Sequence, residues 1–565
     1  MENIAATAQT DVEESTPDRV PSPTDKLNVA RFEKLFSERK TIEESWDRIE
    51  RFISPYRGQF FRQDTDEHQV EWKKREIYDS TALMAAQILA ANMHGNLTSP
   101  SMRWFDMQFT DPKLRDDNAS SRWLEESAMI TYNAIQASNF NLEASELYTD
   151  LVAFGTGGMI EEEITNEAGD FEALSFTATP VKELYFEDDW RGRPQRFYRL
   201  MSWAPTRIVT KFGLSNVPHK IAEAYEKGDT TACEVIFAVW RRDDKPEDAF
   251  TTKLPAERAW GYNYYLRNGA IPLQAEEGGY YEMPAFIPRW RTSSGSRWGN
   301  SPAMVALPDV QTLNELIKMV LRSNEKVIDP AMFAEERALI GDLDLSPGGL
   351  NLVRRIGSVV PFESAARFDV SAMRIEDLRN SINRIFYLDQ IQLKESPTMT
   401  ATEVQVRYEM MQRTLGPTLG RLQSDYLNLI VERSFNILYR AGKLPEVPAL
   451  VAESGVEAAI NYIGPLARSQ RVDASAAVER YLGQLMGMLQ IDPSVRHVPN
   501  LKEMAIFSAE SLNVPAKLIN PRKTIDAKIK QDEQAQKEAQ QAAVAEQGAK
   551  TDAMAAKAET ERGAV

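Results

Sequence analysis

The clearest periodic pattern in the chain is a pair of amphipathic stretches separated by a short irregular segment. SPAMVALPDVQTLNELIKMVLRSNEKVID, beginning at Ser301, places Val310, Leu313, Ile317, Val320 and Leu321 three and four residues apart, the spacing of one helix face. Asp309, Glu315, Lys318, Arg322 and Lys326 fill much of the other surface, and Pro330 stops the helix by removing a backbone donor. About twenty helical residues make a rod of roughly 30 Å. The stretch SAMRIEDLRNSINRIFYLDQIQL repeats the design from Ser371, a residue suited to capping the helix start. Ile375, Leu378, Ile382, Ile385 and Phe386 fall on its apolar face, against Arg374, Glu376, Asp377, Arg379 and Arg384. Between the two, a Ser-Pro-Gly-Gly turn at 346–349 and the apolar runs 350–353 and 359–360 predict short strands. Taken alone, this pattern fits an ordinary helical hairpin buried in one core.

Elsewhere the period changes by region. Residues 1–26 hold almost nothing large and apolar and predict disorder. From Leu27 to about Pro55 a helix is expected, with Phe32, Leu35, Trp46, Ile49 and Phe52 inside. A second helix is expected over 78–98, with Leu83, Ile88, Leu89 and Met93 as its buried stripe and Trp104 and Phe105 as anchors just beyond. Residues 120–154 read as helix until Gly155, Gly157 and Gly158, where a turn with positive φ or close packing is expected. From 172 to 292 the period becomes two, predicting strands separated by Gly, Pro and Asp turns, with a helical insert at 207–229. After LKESPTMT, Thr400 and Glu403 form a capping box that opens a long helix reaching 440–444. Gly416-Pro417 is expected to kink it. Shorter helices broken by prolines follow over 445–522. The Ala-, Gln-, Lys- and Glu-rich end, 523–565, reads as a disordered tail or one helix of a barrel. The class is α+β, mainly helical.

Composition narrows the function. A chain of 565 residues exceeds one ordinary core, so two to four structural units are expected. Acidic residues outnumber basic ones, 83 to 66, a net charge of −17, and no basic run exceeds Lys73-Lys74-Arg75. A protein that grips DNA through its phosphates carries a basic surplus or patch, so any DNA here is guided rather than held. The single cysteine, Cys233, excludes an internal disulfide and reads as a small core residue, in keeping with a reducing cytoplasm. No secretion signal and no membrane span are expected.

The chemistry-bearing patterns are sparse. Four histidines lack metal spacing, and His94 beside Gly95 reads as a helix cap rather than a ligand. Glu161-Glu162-Glu163 and Asp188-Asp189 are the one set of carboxylates that suggests a magnesium-dependent nuclease. Neighbouring residues of a strand point to opposite faces, however, and a charge run is usually solvated. The glycines at 155–158 lack the Gly-Lys-Ser/Thr of a phosphate loop. No catalytic residue, metal site or cofactor is expected.

Five stretches occur in an order that resembles the portal proteins, or head-to-tail connectors, of short-tailed bacteriophages. They are YDSTALMAAQILAANMHGNLTSPSMRWF at 78–105, LYTDLVAFGTGGMIEEE at 147–163, PAFIPRWRTSSGSRWGNSPAMVALPDV at 284–310, SPGGLNLV at 346–353 and TATEVQVRYE at 400–409. The resemblance implies a wing at 27–300, with its β-rich part at 172–292, and a stem of two helices at 301–328 and 371–390. The stem positions are Val310, Leu313, Ile317, Val320, Ile375, Leu378 and Ile382. It further implies a clip at 329–370 and a tunnel loop at 391–400, whose Lys394, Glu395, Ser396, Pro397 and Thr398 face DNA. A long helix at 401–444 then joins wing to a helical crown at 445–522. Glu335, Glu336, Arg337, Asp342, Asp344, Arg354 and Arg355 would be the clip residues that dock terminase or adaptor.

By the same resemblance the chain is a late virion protein, not an enzyme, that closes into a dodecameric ring around a central channel at one capsid vertex. Its partners would be other copies of itself, duplex DNA passing without sequence specificity, the terminase large subunit, head-tail adaptor and tail proteins, and major capsid and scaffolding proteins. Assembly would take place in the host cytoplasm. Packaging, retention and ejection of the genome would be its roles. A metal-dependent phage nuclease or other phage enzyme, and a structural tail or scaffold protein without a channel, are the alternatives.

Overall fold

The structure is a computed structural model. It describes residues 20–55, 77–328 apart from 101, 167, 246–252, 275 and 294, then 332–334, 359–361, 368–391, 416–454 and 458–462, with scattered positions from 478 to 535. The chain divides into two compact units, one of residues 1–103 and 131–443, the other of 104–130 and 444–565.

In chain order the elements are α1 (Pro23–Phe52), α2 (Thr81–Leu97), β1 (Phe105–Phe109), α3 (Pro112–Asp116), α4 (Asn118–Ala137) and α5 (Phe140–Phe154). Next come β2 (Gly158–Thr165), β3 (Phe171–Thr179), β4 (Leu184–Asp188), β5 (Pro194–Trp203), α6 (Pro205–Phe212), α7 (His219–Glu226), β6 (Cys233–Arg241) and β7 (Trp260–Leu266). The small strands β8 (Ile271–Pro272), β9 (Gly278–Tyr280) and β10 (Ala285–Phe286) precede α8 (Pro302–Ile328). β11 (Met332–Ala334), β12 (Val359–Pro361), α9 (Phe368–Ile385), α10 (Leu388–Ile391), α11 (Asn428–Arg440), α12 (Ala449–Ser454) and β13 (Ala458–Tyr462) complete the described set.

The larger unit is built on an antiparallel sheet ordered β4-β5-β6-β7-β8, with β9 also pairing β7. Alternation sends Phe186, Phe197, Phe237 and Tyr264 to one face, where α6 and α7 cover them with Ile208, Ile221 and Ala222. Tyr185, Tyr198, Ile236 and Tyr265 go to the other face, against Val29, Phe32 and Leu35 of α1. Both faces are covered, so these strands are apolar at successive positions rather than alternately polar. Cys233 opens β6 and is half-buried. α1 begins at Pro23, earlier than its apolar pattern, because Ser22 and Asp25 form a capping box.

A second sheet, β10-β2-β3, is antiparallel throughout. It follows the glycine turn after α5. Gly155 has φ of +77°, and a Cβ on Gly155 or Gly299 would overlap the other's backbone carbonyl. Only glycine permits this crossing. It lets Trp290 donate its backbone N–H to the Gly155 carbonyl at 2.8 Å.

Three expectations need correcting here. In α2 the fully buried stripe is Ala82, Ala85, Ala86, Leu89, Ala90, Met93 and Leu97, with Leu83 and Ile88 only half-buried. Small residues face inward because α5 packs closely on this helix. His94 does not act as a cap: its backbone carbonyl accepts from Thr98, while its ring sits half-buried at 6.1 Å from Tyr148. The helix expected over 120–154 is broken at Ser138–Asn139, where the Asn139 side chain bridges to Phe176 of β3 instead.

In the smaller unit β1 alternates fully, with Phe105, Met107 and Phe109 buried. It pairs antiparallel with β13, a strand in a region where only helices were expected.

Candidate functional site

The helix pair α8 and α9 is the first candidate. Ser301 fixes where α8 starts: its Oγ donates to the Ala153 carbonyl at 2.7 Å and accepts from the Met304 amide at 3.0 Å. The α9 side meets α8 through Ser381, whose hydroxyl donates to Asp309 at 2.8 Å. Near the base, Asn314 accepts from the Tyr78 amide at 2.7 Å. Arg379 donates from Nε and Nη2 to one oxygen of Asp79, at 3.0 and 2.8 Å. Burial of Asp79 opposes its ionisation, but hydrogen bonds from Thr81 and Arg379 outweigh it and hold the carboxyl below its usual range.

β11 and β12 pair antiparallel beyond the far ends of the two helices, so the chain leaves along α8 and returns along α9. Of the expected stem positions, Val310, Leu313 and Ile382 are buried, while Ile317, Val320, Ile375 and Leu378 are half-buried. The return helix is not continuous to 390. It ends at Ile385, Tyr387 takes a φ of +60°, and α10 restarts at Leu388.

Past Leu313 and Asn314 no described α8 residue is buried, although the helix stays apolar. Two strips run along it. One is Val305, Thr312, Leu316, Met319, Ser323 and Val327; the other is Ile317, Leu321, Asn324 and Ile328. Met319 is 55% exposed, Leu321 46% and Ile328 83%. The charged side chains of Glu315, Lys318, Arg322 and Glu325 form a ridge between the strips, as their spacing requires. One partner helix needs a single apolar seam. This helix carries more than one.

A second candidate is the carboxylate group under α11. Glu161, expected as part of a solvated run, is fully buried. Its Oε1 accepts from Ser434 Oγ at 2.6 Å, and its Oε2 lies 3.9 Å from Arg433 Nε. Arg433 also donates to the Glu161 backbone carbonyl and to Glu282, and Arg440 and Asn436 bind the other Glu282 oxygen. Burial pushes the Glu161 carboxyl up to about 8, against the pull of Arg433 and Ser434. Glu162 faces the other way and accepts from the Tyr280 hydroxyl at 2.8 Å; Glu163 is exposed. Asp188 is held by Arg289 at 2.9 Å. Of the acidic run, Glu161 fastens α11 to the β2 sheet. Among the described residues, no group of three or more His, Cys, Asp or Glu side chains is placed to hold a metal ion.

The helix that supplies Arg433 and Ser434 is described from 416, and Gly416 and Pro417 are the first of its described residues. Its irregularity within the described residues is a π-helical turn at Gln423–Leu427, which the sequence did not announce. That turn brings the Tyr426 hydroxyl to 3.5 Å from Met159 Sδ. Lys394, Glu395, Ser396, Pro397 and Thr398, the capping pair Thr400 and Glu403, and clip residues Glu335, Glu336, Arg337, Asp342, Asp344, Arg354 and Arg355 all lie outside the described residues.

Comparison with known proteins adds an independent line. Residues 26–519 match the sequence model of a family described as bacteriophage head to tail connecting protein. The chain is 28% identical over 546 residues to a probable portal protein of Bordetella phage BPP-1, covering 95% of this chain and 96% of that one. It is 25% identical over 531 residues to the portal protein of Salmonella phage epsilon15, covering 92% and 93%. Among solved structures, one described as the virion of a native gene transfer agent particle aligns with 71% of this chain and 85% of its own, at 9% identity and a TM-score of 0.31.

Proposed function

The chain belongs to the bacteriophage head-to-tail connecting protein family and has a phage portal role; from that premise we propose how its geometry serves that role. Copies pack side by side through the helix pair and close into a ring, a dodecamer by resemblance, at one vertex of the capsid. The observation that carries this is the pair of apolar strips on α8, exposed beyond the last buried residues. A ring is closed by heterologous contacts, in which each copy uses two different surfaces toward its two neighbours. A helix with apolar strips on both sides of a charged ridge meets that requirement. Covering Leu316, Met319, Leu321, Val327 and Ile328 also supplies the tertiary packing that a projecting helix pair needs for stability.

The ring would enclose duplex DNA. With each copy at −17 the wall repels phosphates within a screening length of about 10 Å, so DNA slides with little retention by charge. Lys394 of the tunnel loop is the movable contact to the backbone in this reading. The clip at 329–370 is the docking end for the terminase large subunit during packaging, and for head-tail adaptor and tail proteins afterwards. Scaffolding and major capsid proteins meet the outside during assembly in the host cytoplasm.

The test is negative-stain microscopy with native mass spectrometry of the purified chain, beside the double variant Leu316→Glu/Met319→Glu. The wild type is expected to form closed rings with a central hole. The variant is expected to keep its circular-dichroism spectrum and lose rings. Rings unchanged by the double substitution would remove the α8 strips from the interface; a wild type that stays monomeric would overturn the ring itself.

A further inference from the structure

The turn between β4 and β5 presents Trp190 at 86% exposure, with the Arg191 guanidinium 4.4 Å from its ring centre. An exposed tryptophan is costly on a loose loop, and this loop is not loose. Asp189 accepts from the amides of Arg191 and Arg193, each at 2.8 Å, and the Asp189 amide donates to the Arg193 carbonyl. The buried Arg289 fixes both sides of the turn, binding Asp188 at 2.9 Å and the Gly192 carbonyl at 2.6 Å. A rigid Trp-Arg pair has the composition of an interface anchor, since little entropy is lost when it docks.

The occupant of such an anchor is narrowed by charge and place. Duplex DNA offers no splayed base for Trp190 to stack on. The exposed end of the β2–β3 hairpin offers the opposite chemistry to the turn: the exposed carboxylates of Glu163 and Glu172, with aliphatic Ile164, 44% exposed, on the face opposite Glu163. Arg289, which pins the turn, bridges to Thr156 at the start of β2. Ile164 lies eight residues further along, roughly 26 Å at the rise of an extended strand. The cationic turn and the acidic hairpin end thus sit at opposite ends of the strand, out of reach of each other within one copy. That is the arrangement of a head-to-tail contact.

We propose that Trp190 and Arg191, with Arg193, dock on the end of the β2–β3 hairpin that carries Glu163 and Glu172 in a neighbouring copy, forming a second inter-subunit contact besides the helix pair. This rests on the ring reading above. The test uses the full chain and exposed residues only. Arg191→Glu/Arg193→Glu reverses the turn, Glu163→Arg/Glu172→Arg reverses the hairpin end, and a third protein carries all four changes. Each double variant is expected to lower the fraction of closed rings about tenfold, because like charges then meet across the contact. The four-fold variant is expected to recover most of that fraction, and Trp190→Ala to lower it without recovery. Rings that form in the wild type and are unchanged in both double variants, or a four-fold variant no better than either, would overturn this contact and leave the ring standing. A monomeric wild type would overturn both.

Discussion

At the scale of single residues, the most informative side chain is Glu161. Its carboxyl is fully buried, bonded to Ser434 and near Arg433, and raised to about 8. A carboxyl that ionises near 4.5 when unfolded and near 8 when folded holds its proton longer in the native state. Native stability then falls as pH rises through that interval and levels off above it. Glu161→Gln keeps the shape and the acceptor for Ser434 while removing the titration. Its melting temperature relative to the wild type is therefore expected to rise between pH 5 and pH 8. Differential scanning fluorimetry across that range checks this, and a wild type and variant that track each other would refute it. Glu161 was misjudged from sequence because three successive glutamates look like a solvated run. The arginine and serine that bury it stand about 270 residues away.

At the scale of elements, α8 was legible in its bounds and inner face, since apolar steps of three and four mark both. The outer strips were in the same letters, but period alone does not say which of several apolar faces is covered. The base of the pair depends on Arg379 and Asp79. Arg379→Met leaves the Asp79 carboxylate with Thr81 alone, and the expected loss is about 1–2 kcal/mol, since Arg379 is itself 43% exposed and partly screened. Because Asp79 titrates below its usual value when folded, its contribution is present above the unfolded pKa and lost as pH falls through the folded one. Chemical denaturation at pH 7 and pH 3 measures both parts. An equal deficit at the two pH values would show that Arg379 acts by packing.

At the scale of the whole molecule, the family assignment covers residues 26–519, and the portal role follows from it. The tunnel-loop reading of 391–400 is tested by deleting that segment: rings should still form, with genome packaging or retention impaired in an infection assay. Failure of the deleted chain to make rings would place those residues in the assembly instead. The order of five short stretches was enough to suggest the family from sequence. Each stretch was weak, and their succession along the chain made the match specific.

What the sequence determined by itself is what depends on near neighbours. The helix and strand periods and the glycine at 155 act over a few residues, and each appears in the structure at or near its expected place. The pairing of β1 with β13, the burial of Glu161, the alanine-rich inner stripe of α2 and the π-helical turn at 423–427 were decided by tertiary structure. Their partners lie tens to hundreds of residues away. Burial and register are set by which surfaces meet in space, and the local pattern leaves that choice open.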